Sequence, residues 1–225
     1  MKFLKKIPIT YSGTLNDVKL VNFSVAMDEV LPLVPKEIKV LDFNGRAVIS
    51  MVNVKLKQMR PSFFPKWLSF EYQHVAFRLL VDDTNLNSGK AKGIYFLKSF
   101  TNKPLISVFG NLLSHYKLSN AEIHDVYGFD LWQNKKFLHY NLNEKTPLQK
   151  EWLKTSIGAI DRAYAVDNSS IYCTLIQREK WPIEWVNCIG FKTNFFKTAE
   201  FLGAFSVNEV IDYKWLPAKK ISALL

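Results

Sequence analysis

The feature that most constrains this chain is the dipeptide Asn44-Gly45, set between the apolar runs IKVLDF (38–43) and RAVISMVNVKLKQM (46–59). Asn-Gly between such runs signals a two-residue hairpin, because both turn positions need positive φ. Side chains in the second run alternate. One set is Val48, Ser50, Val52 and Val54; the other is Ala47, Ile49, Met51 and Asn53. Both sets are mainly apolar, so the strand is expected to be covered on both sides, as in a closed barrel or a deep sandwich.

The rest of the chain supplies partners for that hairpin. Strands are expected over 18–25, 70–81 and 93–99, with a polar turn at 82–92. RPSFFPKWLS (60–69) reads as a loop whose aromatics must be buried or form a lip. A helical segment is expected at 104–114, started by Pro104, and a meander over 117–142 turns at Gly128 and Asn134. The stretch 146–165 allows a helix, and 170–176 is a strand. The apolar spacing of 181–202 predicts a helix, and short strands at 205–211 and 213–216 close the chain. The pattern is α+β: a mostly antiparallel sheet with two or three helices. Neither linker nor repeat interrupts it, so one domain over 1–225 is expected.

Composition narrows the function classes. Phe, Tyr and Trp make up 14% of the 225 residues, enough to fill space between sheets or line a pocket. The net charge of +10 comes from scattered lysines, with only short groups at Lys5-Lys6, Lys135-Lys136 and Lys219-Lys220. No long basic run or nucleic-acid motif is present, so a nucleic-acid partner is not expected. Two isolated cysteines, Cys173 and Cys188, fit free thiols in a reducing compartment better than a disulfide framework. No metal-ligand spacing and no cofactor motif occurs, so neither a metal nor a cofactor is expected. The N-terminus lacks an apolar signal region and no window could form a membrane-spanning helix, so a cytoplasmic protein is the expectation.

Several segments in order resemble the YqjF-type family, domain-of-unknown-function family 2071. They are VLPLVPKEIKVLDFNGRAVISMVNVKLKQMRP (30–61), HVAFRLLV (74–81), KGIYFLKSFTN (92–102), the His115-Tyr116 neighbourhood and YKWLPAKKIS (213–222). That family is similar in turn to acetoacetate decarboxylases. The resemblance implies a sheet curved into a cone or barrel around a ligand-sized cavity. It also implies where a Schiff-base lysine would stand, in a Lys-Lys pair after a segment comparable to 109–116. Here the segment reads His115-Tyr116-Lys117-Leu118-Ser119 and the pair is absent, which argues against Schiff-base decarboxylation.

The candidate site residues follow from strand parity and position. His74 and Arg78 lie four apart on one expected strand and share a face with Ala76, whereas Val75, Phe77 and Leu79 share the other. An inward Arg78 would bind a carboxylate, with Glu71, Glu122 or Asp125 as possible protein partners. The apolar set should pack under the helices. Arg60, before Pro61, stands at the expected cavity mouth, either steering an anion or capping a loop carbonyl. His115, Tyr116 and Lys117 are the candidates for acid/base or nucleophilic chemistry. The leading expectation is a cavity for a small, partly apolar, anionic molecule. The alternatives are a lyase acting on a keto acid, and binding of nucleic acid or an anionic membrane through the basic charge. Oligomeric state is not legible.

Overall fold

The Asn44-Gly45 turn forms with φ of 52° and 76°, and the Asp42 carboxylate accepts the Gly45 N–H at 2.7 Å. This computed structural model describes residues 8–107, 117–143, 145, 147, 149–167 and 169–221. The first arm of the hairpin is shorter than expected. Only β2 (Asp42–Phe43) pairs with β3 (Arg46–Pro61), while Val40 makes an isolated bridge to Val81.

Seven strands close a barrel. They are β1 (Tyr11–Ala26), β3, β4 (Phe70–Val81), β5 (Gly93–Thr101), β10 (Arg162–Asp167), β11 (Ser170–Arg178) and β14 (Ile211–Trp215). The circuit runs β3-β4-β5-β10-β11-β14-β1 and returns to β3. All its pairings are antiparallel except β5 with β10. Closure removes the exposed edges that an open sheet would leave. Short strands β6 (Leu118–Asn120) and β15 (Lys219–Ile221) add to β5 and β11.

A second sheet grows from β1 through β13 (Glu200–Val207), β12 (Glu184–Thr193), β9 (Lys136–Asn143), β8 (Phe129–Gln133) and β7 (Glu122–Asp125). This corrects the helix expected over 181–202. Apolar residues there recur near helical spacing, but Trp185 packs into one core while Val186, Cys188 and Phe191 pack against the other. Gly190, at φ 65°, breaks the strand pairing locally. The helices described are short: α1 (Met27–Val30) and α2 (Glu151–Gly158), with a further helical turn at 104–107. The remainder of the helix expected at 104–114 lies outside the described residues.

The alternation read in β3 separates two cores. Val48, Val52 and Val54 belong to the barrel interior, with Ala76 and Leu80 of β4 and with Leu153 and Ile157 of α2. Ala47, Ile49 and Met51 belong to a second cluster between the barrel wall and the second sheet. Val75, Phe77 and Leu79 join that second cluster and are fully buried. They share it with Phe129, Leu131 and Leu138 of the second sheet, Phe195 and Phe196 of its connecting loop, and Val30 of α1, so among the described residues their cover is mainly a sheet. Among the described residues no helix is long and apolar enough to cross a membrane.

Candidate functional site

Strand parity turns Tyr72, His74, Ala76, Arg78 and Leu80 into the barrel, where Ala76 and Leu80 are part of the interior cluster. Arg78 pairs across β5 with Phe96, next to a bulge between Phe77 and Arg78. Bulges of this kind re-aim side chains and recur beside functional sites.

Arg78 is only 7% exposed. Its Nε donates to the Ser50 carbonyl at 3.2 Å and an Nη donates to Ser50 Oγ at 2.8 Å. Both acceptors are neutral. None of the carboxylates expected as partners pairs with it: Glu71 and Glu122 are exposed, and Asp125 lies near Lys55 and Asp17 instead. Burial, followed by the charge of Arg178, lowers the Arg78 pKa to about 9. A guanidinium still carries its proton at pH 7, so Arg78 is a buried charge.

Around Arg78 the walls are aromatic. The His74 ring lies 6.1 Å from Tyr72 and 6.4 Å from Phe96. Phe96 lies 6.1 Å from Trp215, which lies 6.4 Å from Tyr213. Tyr72 and His74 are half-buried. Desolvation and then the Arg78 charge lower the His74 pKa to about 4, so His74 is neutral at pH 7. Tyr11 also packs against the interior cluster, and its hydroxyl has no hydrogen-bond partner among the described residues.

Arg178, at the end of β11, supplies a second guanidinium. It donates to the Ile160 carbonyl and stacks 4.1 Å from the Trp181 ring centre. Desolvation lowers its pKa to about 10. Arg178 and Tyr213 also line an open cleft of about 920 Å³ at the barrel's end, with Arg60, Lys66, Lys214, Glu179 and Asp212. Gly13 is required at this cleft, because a Cβ there would stand 2.8 Å from the Lys57 carbonyl oxygen and 2.4 Å from Met59 Sδ. Interior and cleft thus share residues, and four of the cleft's six charged side chains are cationic.

The sequence candidates divide accordingly. His74 and Arg78 meet in the interior. Arg60 lines the cleft but is occupied as a loop cap, donating to the carbonyls of Phe64 at 3.1 Å and Gln58 at 3.0 Å. Lys117 is exposed just before β6. His115 and Tyr116 lie outside the described residues. Ser50, Phe96, Arg178, Tyr213 and Trp215 were not singled out as site residues. Arg178 had a readable signal, since Thr174, Ile176 and Arg178 share a parity once the strand is carried past 176. Among the described residues no cluster of His, Cys, Asp and Glu could hold a metal ion.

The chain belongs to domain-of-unknown-function family 2071, described as an uncharacterized conserved protein, whose model matches residues 12–213. No curated protein matches the chain by sequence. Among solved structures it is similar to an acetoacetate decarboxylase-like enzyme from Sphingomonas wittichii RW1, with TM-score 0.64, 10% identity, and 96% of this chain and 94% of that one covered. It is also similar to acetoacetate decarboxylase from Legionella pneumophila subsp. pneumophila str. Philadelphia 1, with TM-score 0.62, 10% identity, and coverage of 96% and 88%. A third similar structure is the enduracididine biosynthesis enzyme MppR complexed with pyruvate, with TM-score 0.54, 10% identity, and coverage of 97% and 91%. At these identities the likeness establishes the acetoacetate decarboxylase-like fold.

Proposed function

We propose that the barrel interior binds a small, partly apolar molecule bearing a carboxylate or similar anionic group, with Arg78 as its anchor. The observation that carries this reading is a buried guanidinium that, among the described residues, hydrogen-bonds only to neutral acceptors, with a second guanidinium near enough to lower its pKa further. Unpaired charge in an apolar interior costs several kcal/mol by order of magnitude, and a bound anion offsets it. Phe96, Trp215 and Tyr213 offer the apolar part of such a ligand its contact surface. The MppR structure was solved with pyruvate, a small keto acid, which makes that class a sensible first probe.

A lyase acting on a keto acid is the second reading, and His74 favours it. Beside Arg78 and neutral at pH 7, it is placed to hydrogen-bond the keto oxygen of a molecule whose carboxylate Arg78 holds, although a pKa of about 4 makes it a weak base.

The test is calorimetric titration with matched acids and amides of one carbon skeleton, starting with pyruvate and pyruvamide. The acid should bind and the amide should not. Equal binding of both, or none across a series of acids of increasing apolar length, would remove the anion anchor.

A further inference from the structure

Beside the cleft stands the β3–β4 loop, and it is built to expose apolar side chains. Phe63 is 72% exposed, Trp67 79% and Leu68 45%. Leu105, 73% exposed, stands on the neighbouring 102–105 segment. That segment is tied to the start of β4 by Lys103 Nζ donating to the Glu71 carbonyl and Asn102 Oδ1 accepting from Gln73 N–H.

The loop holds a defined shape. Phe64 N–H bonds to the Pro61 carbonyl at 2.9 Å, Leu68 N–H to Pro65 at 3.1 Å and Ser69 N–H to Lys66 at 3.1 Å. Arg60 clamps it from within through the Phe64 and Gln58 carbonyls, and Pro61 and Pro65 restrict its backbone. Collapse onto the barrel would bury these aromatics, yet the loop's own hydrogen bonds hold them outward. An ordered exposed apolar patch marks an interaction surface.

The charge around the patch selects the partner. Lys57, Lys66 and Lys103 are exposed on the segments that carry it and Arg60 stands at the loop's base, while Glu71 is the exposed carboxylate at the start of β4 and Glu179 and Asp212 line the adjacent cleft. Trp and Phe flanked by Lys is the composition that settles at a bilayer's headgroup level. A symmetric pairing with a second copy would set this patch against itself, cation against cation. We infer that this lip docks the protein on an anionic lipid surface. Phe63, Trp67, Leu68 and Leu105 enter the interface, and the lysines meet the headgroups. Docking would place the cleft, which shares Arg60 and Lys66 with the lip, against the membrane. The inference does not depend on what the interior binds.

The experiment is cosedimentation of the full chain with phosphatidylcholine vesicles, with and without phosphatidylserine, at low and high salt. Sizing of the free protein runs alongside. The wild type should partition onto the phosphatidylserine vesicles and be released by salt. A Phe63→Ser/Trp67→Ser variant should lose about tenfold or more of that binding, and Lys57→Gln/Lys66→Gln about fivefold per cation. Melting curves should show both variants folded, because the altered side chains are exposed. Three results would overturn the proposal. One is absence of wild-type binding to phosphatidylserine vesicles, and another is binding unchanged in both variants. The third is a wild-type dimer that Phe63→Ser/Trp67→Ser converts to monomer, which would mean that a second copy covers the lip.

Discussion

Along β4, Val75, Phe77 and Leu79 enter the space between barrel and second sheet, while Tyr72, His74 and Arg78 enter the barrel itself. The first set is wholly apolar and interlocks with other rings. Phe77 makes edge contacts with Phe23, Phe100 and Phe195 at 6.1, 5.9 and 5.0 Å. The second set places an arginine, a histidine and a tyrosine where packing alone would favour leucines. One strand, read at two parities, thus faces a purely apolar cluster on one side and a mixed polar and aromatic interior on the other. Both faces bury apolar residues, but only the barrel interior gives up some of that stability by admitting polar groups at His74 and Arg78.

The largest effect should come from the outer core. Phe77→Ala is expected to cost about 3–5 kcal/mol, read as a large fall in melting temperature. We also propose that barrel and second sheet unfold together, since both line this cluster. Two separate melting transitions, or a cost near zero for Phe77→Ala, would break the comparison.

Acidification should probe the interior next. The His74 pKa is lowered to about 4 in the folded protein, against about 6.5 in the unfolded chain. Between these values the unfolded chain binds more protons, so stability is full above pH 6.5 and falls as the pH drops toward 4. The expected loss is up to about 3 kcal/mol, and His74→Gln should flatten that part of the stability–pH curve. An unchanged slope in the variant would mean that His74 is not enclosed as described.

The smallest effect should come from Lys117→Ala. The side chain is exposed, so stability should change by less than about 0.5 kcal/mol. Borohydride reduction of the wild type with pyruvate should leave Lys117 unmodified. A trapped adduct there would contradict the reading of Lys117 as a surface residue.

Much of this division was legible in the sequence. Asn44-Gly45 fixed the hairpin, and alternation in 46–59 and 70–81 assigned both faces, because period two is a property of the strand itself. The identity of what covers the outer face was not legible. The helix expected over 181–202 failed because its apolar residues serve two cores at once, and such a run matches helical spacing by coincidence. Arg178 was missed for a different reason: its charge comes near that of Arg78 only once the sheet curls through strands β4, β5, β10 and β11. Arg60 showed its capping role only once Gln58 and Phe64 were in place.

The central claim is that Arg78 is buried for a ligand and not for the fold. Its most direct test is Arg78→Met, with melting temperature and carboxylate affinity measured on the same sample. Methionine keeps an apolar stem and removes the charge. The variant should be as stable as the wild type or more so, and should bind the carboxylate on the order of thirtyfold more weakly or worse. A variant that unfolds would make Arg78 a structural residue, and one that binds carboxylate normally would place the anchor elsewhere; either result contradicts the account.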